Sequence, residues 1–240
     1  DTDTDMQPDL VWIKNRDATD GNCLFDAVRG ATKLLDSGEN AAETTDTDTL
    51  DSFTSDGFQV DADVKVNTNT ENYVAWCWKA GTTSGLSGGT ITPSGYSINT
   101  TSGFGAYAYT GTGSAGTIAH GLGVAPTMMI VKQRSLIVKD WYVYHKDMAS
   151  GNGYSLALNT NAAEASGTEW NSTDPTSSVF TLGANSNVNA AADTYIAYVF
   201  APVQGFSKFG SYTGNGNADG PFVYTGFRPA YVVLKYTSVE

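Results

Sequence analysis

The sequence predicts an all-β fold of tandem antiparallel β-sandwich modules, jelly-roll or concanavalin-like in kind. Three observations lead there. The first is an internal repeat, in which 17 positions separate Tyr109 from Pro126 and 17 again separate Tyr212 from Pro229. Self-similarity at a fixed spacing marks a repeated structural unit. The second is a series of short aromatic and β-branched runs bounded by turn residues every ~8–12 positions, the pattern of sandwiches and barrels. The third is composition: 26 glycines and 12% aromatic residues suit twisted sheets joined by many tight turns.

Each element follows from local signals. Tyr109-Thr110-Gly111, a Gly/Ser-rich turn and Gly123 to Lys132 read as a strand, a tight turn and a second strand entered through a proline. Tyr212-Thr213-Gly214 to Lys235 repeats that hairpin, and Pro8 to Lys14 gives its second strand alone. Proline is harmless at a strand start, where its missing N–H bonds nothing. The lysine closing each strand marks where it leaves the core. Ala27 to Ser37 could be helical, but Gly30 interrupts it and its repeat partner, Tyr154 to Leu158, is strand-like. It is therefore read as a strand.

In Tyr73-Val74-Ala75-Trp76-Cys77-Trp78, large side chains alternate with mostly small ones, as on the two faces of a strand. Being apolar on both faces, it is expected to be central in its sheet, with Trp76 and Trp78 in the core.

The register of the repeat continues through the chain. Leu24-Phe25-Asp26 returns 119 positions on as Val143-Tyr144-His145, and Asn40-Ala41-Ala42-Glu43 returns 121 positions on as Asn161-Ala162-Ala163-Glu164. Phe58 and the Tyr73–Trp78 strand return after 122, at Phe180 and Tyr195–Phe200. One complete unit thus spans 104–205. Residues 1–103 form a unit lacking its leading strand, with a Gly/Ser/Thr-rich insertion at 81–103, and 206–240 form the leading hairpin of a third, truncated unit. The two copies could make two small sandwiches or fuse into one large one. Asp1-Thr2-Asp3 opens the chain in mid-pattern without an initiator Met, which predicts a piece of a longer polypeptide.

Composition excludes several functions. A chain with 13 Lys+Arg, a net charge of −12 and no basic run is a poor match for nucleic acid or an anionic membrane surface. No apolar run approaches the ~20 residues of a membrane-crossing helix. Two cysteines, Cys23 and Cys77, make no disulfide framework, and Cys77 is expected to pack as a small apolar residue.

Catalytic signatures are weak. Of the two histidines, His145 stands where the other copy has Asp26, and His120 aligns with Val223. The Gly-x-Ser-x-Gly spacing occurs at Gly85–Gly89, but inside the Gly/Ser/Thr-rich insertion and without the strand and helix that flank a nucleophile elbow. A glycosidase needs two facing carboxylates, and the nearest pair, Glu164 and Glu169, falls in an expected loop, while Glu43 reads as a turn residue bonding backbone. The acidic runs are Asp1 to Asp5 and Asp46 to Asp51, and counted from Asp1 the Gly and Glu positions of an EF-hand hold Met6 and Trp12. They read as solvated loops, with a structural Ca²⁺ as the alternative and no other cofactor. Trp170, Trp141, Tyr96 and Tyr107 are the candidates for exposed rings that stack on sugars. The hairpin tips at Thr112-Gly113-Ser114 and Asn215-Gly216-Asn217 are where binding loops would sit, which adds Asn215 and Asn217.

Gln7 to Asn15, Leu24 to Ala31, Ser55 to Phe58, Tyr73 to Ala80 and Tyr212 to Pro229 carry long motifs that resemble a repeat family of structural proteins from tailed bacteriophages, marine ones in particular. The likeness covers nearly the whole chain. It implies a non-catalytic virion protein, loosely a tail fibre or tail-associated component, assembled in the host cytoplasm and exposed on the particle. Its expected partners are other virion proteins, further copies of itself and host surface glycans. Capsid decoration or a fibre spacer is the structural alternative, and a glycan depolymerase the enzymatic one.

Overall fold

The computed structural model describes residues 5–135, 138–149 and 151–238. The first half runs β1 (Leu10–Asn15), β2 (Asn22–Asp26), β3 (Gly30–Asp36), β4 (Thr44–Thr45), β5 (Leu50–Thr54), β6 (Gly57–Val60), a one-turn helix α1 (Val64–Asn67) and β7 (Tyr73–Trp78). The second half runs β8 (Gly95–Asn99), β9 (Phe104–Thr110), β10 (Gly116–Ala119), β11 (Met128–Gln133), β12 (Tyr142–His145), β13 (Tyr154–Ala157), β14 (Ala165–Ser166), β15 (Val179–Leu182), α2 (Ser186–Asn189) and β16 (Thr194–Phe200). The protein is all-β, and the paired strands are antiparallel. No helix among the described residues is long and apolar enough to cross a membrane.

The larger sheets share one strand order. β4-β3-β2-β1-β7 in the first half is matched by β14-β13-β12-β11-β16 in the second, where β9 and β8 extend the sheet beyond β16. Registers agree as well: Trp12 lies opposite Trp76, and Ile130 opposite Tyr198.

Small polar devices recur at the same places. The Asp63 side chain caps α1 by accepting from Lys65 N–H, and Asn185 caps α2 by accepting from Asn187 N–H. Such caps satisfy donors that a helix start leaves free. The Tyr73 hydroxyl donates to Val64 C=O at 2.7 Å and accepts from Thr68 N–H, while Tyr195 does the same to Ser186 C=O at 2.9 Å and Ala190 N–H. One tyrosine thereby pins each helix turn to the strand that follows it.

Three cores alternate with the sheets. Val11, Ile13, Cys23, Phe25 and Leu34 pack with Leu50 and Val66 beneath the β5–β6 hairpin. Leu10, Leu24 and Leu35 share a middle core with Phe104, Ala106, Ile130, Trp141, Ile196 and Tyr198 of the larger sheet. The opposite face of that sheet, with Tyr107, Tyr109, Met129, Val131, Tyr195 and Val199, packs on Ile118, Phe180 and Leu182 of the β10–β15 pair.

Polar contacts lock the halves at the middle core. Arg29 donates to Asp26 at 2.5 Å, to Glu43 at 3.1 Å and to the Tyr198 hydroxyl at 3.2 Å. Glu43, expected to serve its own turn, instead bridges Arg29 and Arg134. Lys132, expected to mark the exit from the core, is fully buried. Its ammonium donates to Asn40 and Lys139 carbonyls and lies 5.9 Å from the Trp141 ring centre.

The hairpin and strand-position expectations are corrected. β9 and β11 are not partners, because β16 lies between them and bonds both. β10 instead crosses to pair with β15. β7, expected to be central, is an edge strand. No strand forms among the described residues of 206–240, where the third hairpin was expected. One pairing is common to all three. In the second half the leading strand β9 takes the last strand β16 as its neighbour, whereas among the described residues β7 pairs with β1 alone and 208–213 pair with no strand.

Two outcomes test the shared devices. Tyr195→Phe and Tyr73→Phe each remove the partner of a part-buried or exposed carbonyl and N–H and should each lower the unfolding free energy by roughly 0.5–1.5 kcal/mol, as read by urea denaturation. Burial lowers Lys132 from its ordinary 10.5 to about 8, against a smaller pull from Asp140. Between those values the unfolded chain holds more protons than the folded one, so this group adds stability as pH rises. The unfolding free energy of the parent relative to Lys132→Met should therefore increase from pH 8 to 10.5.

Candidate functional site: an aromatic face beside an unpaired strand edge

Alternation along β7 puts Val74, Trp76 and Trp78 on one face of the first sheet and Tyr73, Ala75 and Cys77 on the other. Trp12 stands opposite Trp76, with ring centres 5.8 Å apart in an edge-on arrangement, one that the ring quadrupoles favour. Trp78 lies 6.5 Å from Trp12 and 6.4 Å from Phe200. Tyr231, from the C-terminal tail, sits 5.3 Å from Trp76 and 5.6 Å from Trp78. Trp12, Trp76 and Trp78 are each half-buried, and the Trp12 indole N–H has no partner among the described residues.

Beside this face runs the edge of β7. Arg16 N–H donates to Asn72 C=O at 2.8 Å, which fixes the ladder. Bonded pairs recur every second residue between antiparallel strands, so the even-numbered residues of β7 bond β1. Tyr73, Ala75 and Cys77 thus aim their N–H and C=O groups at the free edge. The second half has the same parity. Arg134 N–H donates to Thr194 C=O, and Gly111 N–H to Asp193 C=O, both at 2.8 Å, so Tyr195, Ala197 and Val199 bond β9. Tyr195 to Phe200 are buried, whereas Ala75 is exposed and its β7 neighbours half-buried.

The aromatic residues picked from sequence as exposed contacts are mostly interior. Trp141 is 0% exposed, its indole donating to Asp36 and Glu39 carbonyls. Trp170 is 1% exposed and donates to Tyr154 C=O, with Tyr144 packed edge-on at 5.8 Å. Tyr107 is 0% exposed and donates to His120 C=O. Each ring is buried because its polar atom finds a backbone partner inside. Tyr96 is half-buried, its hydroxyl accepting from Leu86 N–H. Asn215 and Asn217 are exposed on the tail and bond within their own turn. Conversely, Trp76, expected in the core, is half-buried and outside the three cores, whereas Trp78, also half-buried, packs on the middle core beside Phe104 and Phe200. The signal for them was the Trp12 register, which no single strand reveals.

The ionisable groups of interest are held apart. His120 Nδ1 accepts from Leu122 N–H, so Nε2–H donates to Thr176 C=O, and burial keeps the ring below its ordinary pKa despite that bond. His145 accepts from Asp147 N–H. Glu169 is buried and bonds Asn185 and Asn187, with one oxygen unpartnered, while Glu164 accepts from Ala149 N–H. Asp46 and Asp63 pair with Lys65. Among the described residues no three His, Cys, Asp or Glu side chains converge as metal ligands, and 1–4 of the first acidic run lie outside those residues. An open depression of about 500 Å³ beside Lys14–Asn22 is lined by groups already bonded, including Asn15, Asp20 and Asp36.

Fold and site together define an all-β protein of antiparallel sheets in which, among the described residues, the apolar edge of β7 has no strand beside it. A family model described as Domain of unknown function (DUF7483) matches residues 2–240. The chain belongs to that family. No curated protein and no solved structure matches it.

Tryptophan truncation separates interior from surface. Trp141→Ala should cost about 3–5 kcal/mol, and Trp76→Ala only roughly 1–2 kcal/mol, in urea denaturation. Equal losses would return Trp76 to the core.

Proposed function

We propose that the chain is a non-catalytic structural protein of a tailed-bacteriophage virion, acting by assembly. In this reading it is a β-sandwich protein, the two larger sheets forming a single sandwich across both repeats with their shared middle core as its filling. The observation that carries the reading is the coexistence of an unpaired apolar edge on β7 with an unpaired apolar tail. Phe222 is 88% exposed, and Tyr224 and Leu234 70% each. Exposed apolar surface on this scale marks interaction sites, and unpaired edges are templates for added strands. The sequence likeness to virion proteins supports the setting, and the engagement of Glu43, Glu164, Glu169 and both histidines in structural bonds supports a role without catalysis.

A second reading, contact with host surface glycans, is favoured by the half-exposed Trp76 ring, since aromatic faces stack on the C–H faces of sugars. It moves the contact from the loops to the first sheet.

Mass spectrometry of purified particles tests the assembly reading, with peptides of this chain expected at fixed stoichiometry in capsid or tail. Their presence in infected cells but absence from particles would overturn it. On a glycan array, binding by the parent that Trp76→Ala loses would support the second reading, and equal signals from both would remove it.

A further inference from the structure

We propose that the open edge of β7 takes up residues Lys208–Thr213 of a second copy as an added antiparallel strand, in the register that β9 holds on β16. The proposal rests on the assembly reading and names its partner.

The template lies within the chain. β9 pairs with β16 through Tyr109 opposite Tyr195, Tyr107 opposite Ala197 and Gly105 opposite Val199. β7 is the counterpart of β16 in strand order, register and ladder parity, and among the described residues no strand pairs with its outer edge. The Tyr-Thr-Gly that ends β9 recurs as Tyr212-Thr213-Gly214 at the same distance from its proline. Carrying the register across sets Tyr212 opposite Tyr73, Gly210 opposite Ala75 and Lys208 opposite Cys77. These are the three β7 residues whose N–H and C=O groups face outward. Tyr109 and Tyr195 stack at 5.2 Å with planes 12° apart. Tyr212, 52% exposed, and half-buried Tyr73 are placed to repeat that stack. Main-chain bonds give such strand addition its strength, and the side-chain pairs fix its register.

The tail of the same chain is beside the edge but not in it. Phe209 packs 6.1 Å from Phe200, and Tyr231 lies over Trp76 and Trp78. Lys235 donates to Thr160 C=O, and Thr237 C=O accepts from Glu164 N–H. The tail is thus tied to faces and loops of its own chain while the β7 ladder stays open. In the exchange, Phe209 gives up Phe200 for the neighbour's Trp76. A copy that accepts a strand still offers its own, so the contact is heterologous and propagates head to tail.

Lys208→Cys in a Cys23→Ser background tests the register. Bonded antiparallel pairs bring Cα atoms to about 5.5 Å, within disulfide reach. Mild oxidation of the full chain should give a ladder of dimers and higher species on non-reducing gels, with peptide mapping linking Cys77 to position 208. Phe209→Cys, which points to the other face, should link at least tenfold less. Ala75→Pro removes an N–H aimed at the open edge and not at β1, so the far-UV spectrum should hold while the ladder and concentration-dependent sedimentation are lost. Tyr212→Ala, on the exposed tail, should produce the same loss whether or not Ala75→Pro folds. A chain that stays monomeric with no intermolecular link overturns the proposal. An intramolecular 77–208 link also overturns it, since the occupant is then the chain's own tail. Association that survives Tyr212→Ala does the same. Failure here leaves particle mass spectra free to support the virion reading, and absence from particles leaves the copy-to-copy link standing.

Discussion

A β-strand has two rows of backbone donors and acceptors, and both rows need partners if the strand is to be buried. That constraint explains most of what distinguishes the halves. β16 and β7 are written in the same scheme, aromatic on one face and small on the other. β16 is flanked by β11 and β9, and Tyr195–Phe200 are buried throughout. β7 has only β1 among the described residues, and its residues are half-buried apart from exposed Ala75. The leading strand of a unit therefore decides whether the last strand becomes core or surface. Residues 206–238 hold no strand, and their leading segment has no strand beside it among the described residues.

What the repeats share is local, and what they do not share is the junction between them. The helix caps at Asp63 and Asn185 and the tyrosine bonds at Tyr73 and Tyr195 recur because each joins residues a few positions apart. The Asp26–Arg29–Tyr198 cluster occurs once. Burial opposes the charge on Arg29, but Asp26, Tyr198 and Glu43 outweigh it and hold the guanidinium protonated. Burial likewise raises Glu43, yet Arg134 and Arg29 keep it below the ordinary carboxylate range. A buried ion pair contributes little net stability beside an apolar replacement of the same shape, and breaking one is costly. Its effect here is to fix one seating of the halves. Arg29 and Glu43 come from the first half and Tyr198 and Arg134 from the second, so a shifted seating strands charges.

The strands and the repeat could be read from the sequence because alternation, turn residues and prolines act within a few positions. Gly30–Asp36 is a strand, as its repeat partner implied. Pairing could not be read in the same way. β9 and β11 look like a hairpin along the chain, and only β16, arriving over 60 residues later, separates them. Burial of single aromatics was equally hidden. Trp141 and Trp76 look alike in sequence, but Trp141 reaches two carbonyls of the other half and is sealed in, whereas Trp76 lacks a neighbouring strand. Lys132 was misjudged for the same reason, since its carbonyl partners on Asn40 and Lys139 come from outside its strand.

The composition of β7 fits a covered strand better than a free one. Soluble proteins blunt edge strands with charge, proline or bulges, because a flat apolar edge recruits other chains. Tyr73-Val74-Ala75-Trp76-Cys77-Trp78 has no charge, no proline and an unbroken register with β1. The Asp and Glu residues of this acidic chain fall elsewhere, so the omission is local. Had β7 been adapted to face water, the exposed Ala75 would be the place for a lysine or glutamate, at little cost to the sheet. β7 instead keeps the two-faced apolar pattern that β16 uses beneath β9. An edge kept in that form is suited to a neighbour.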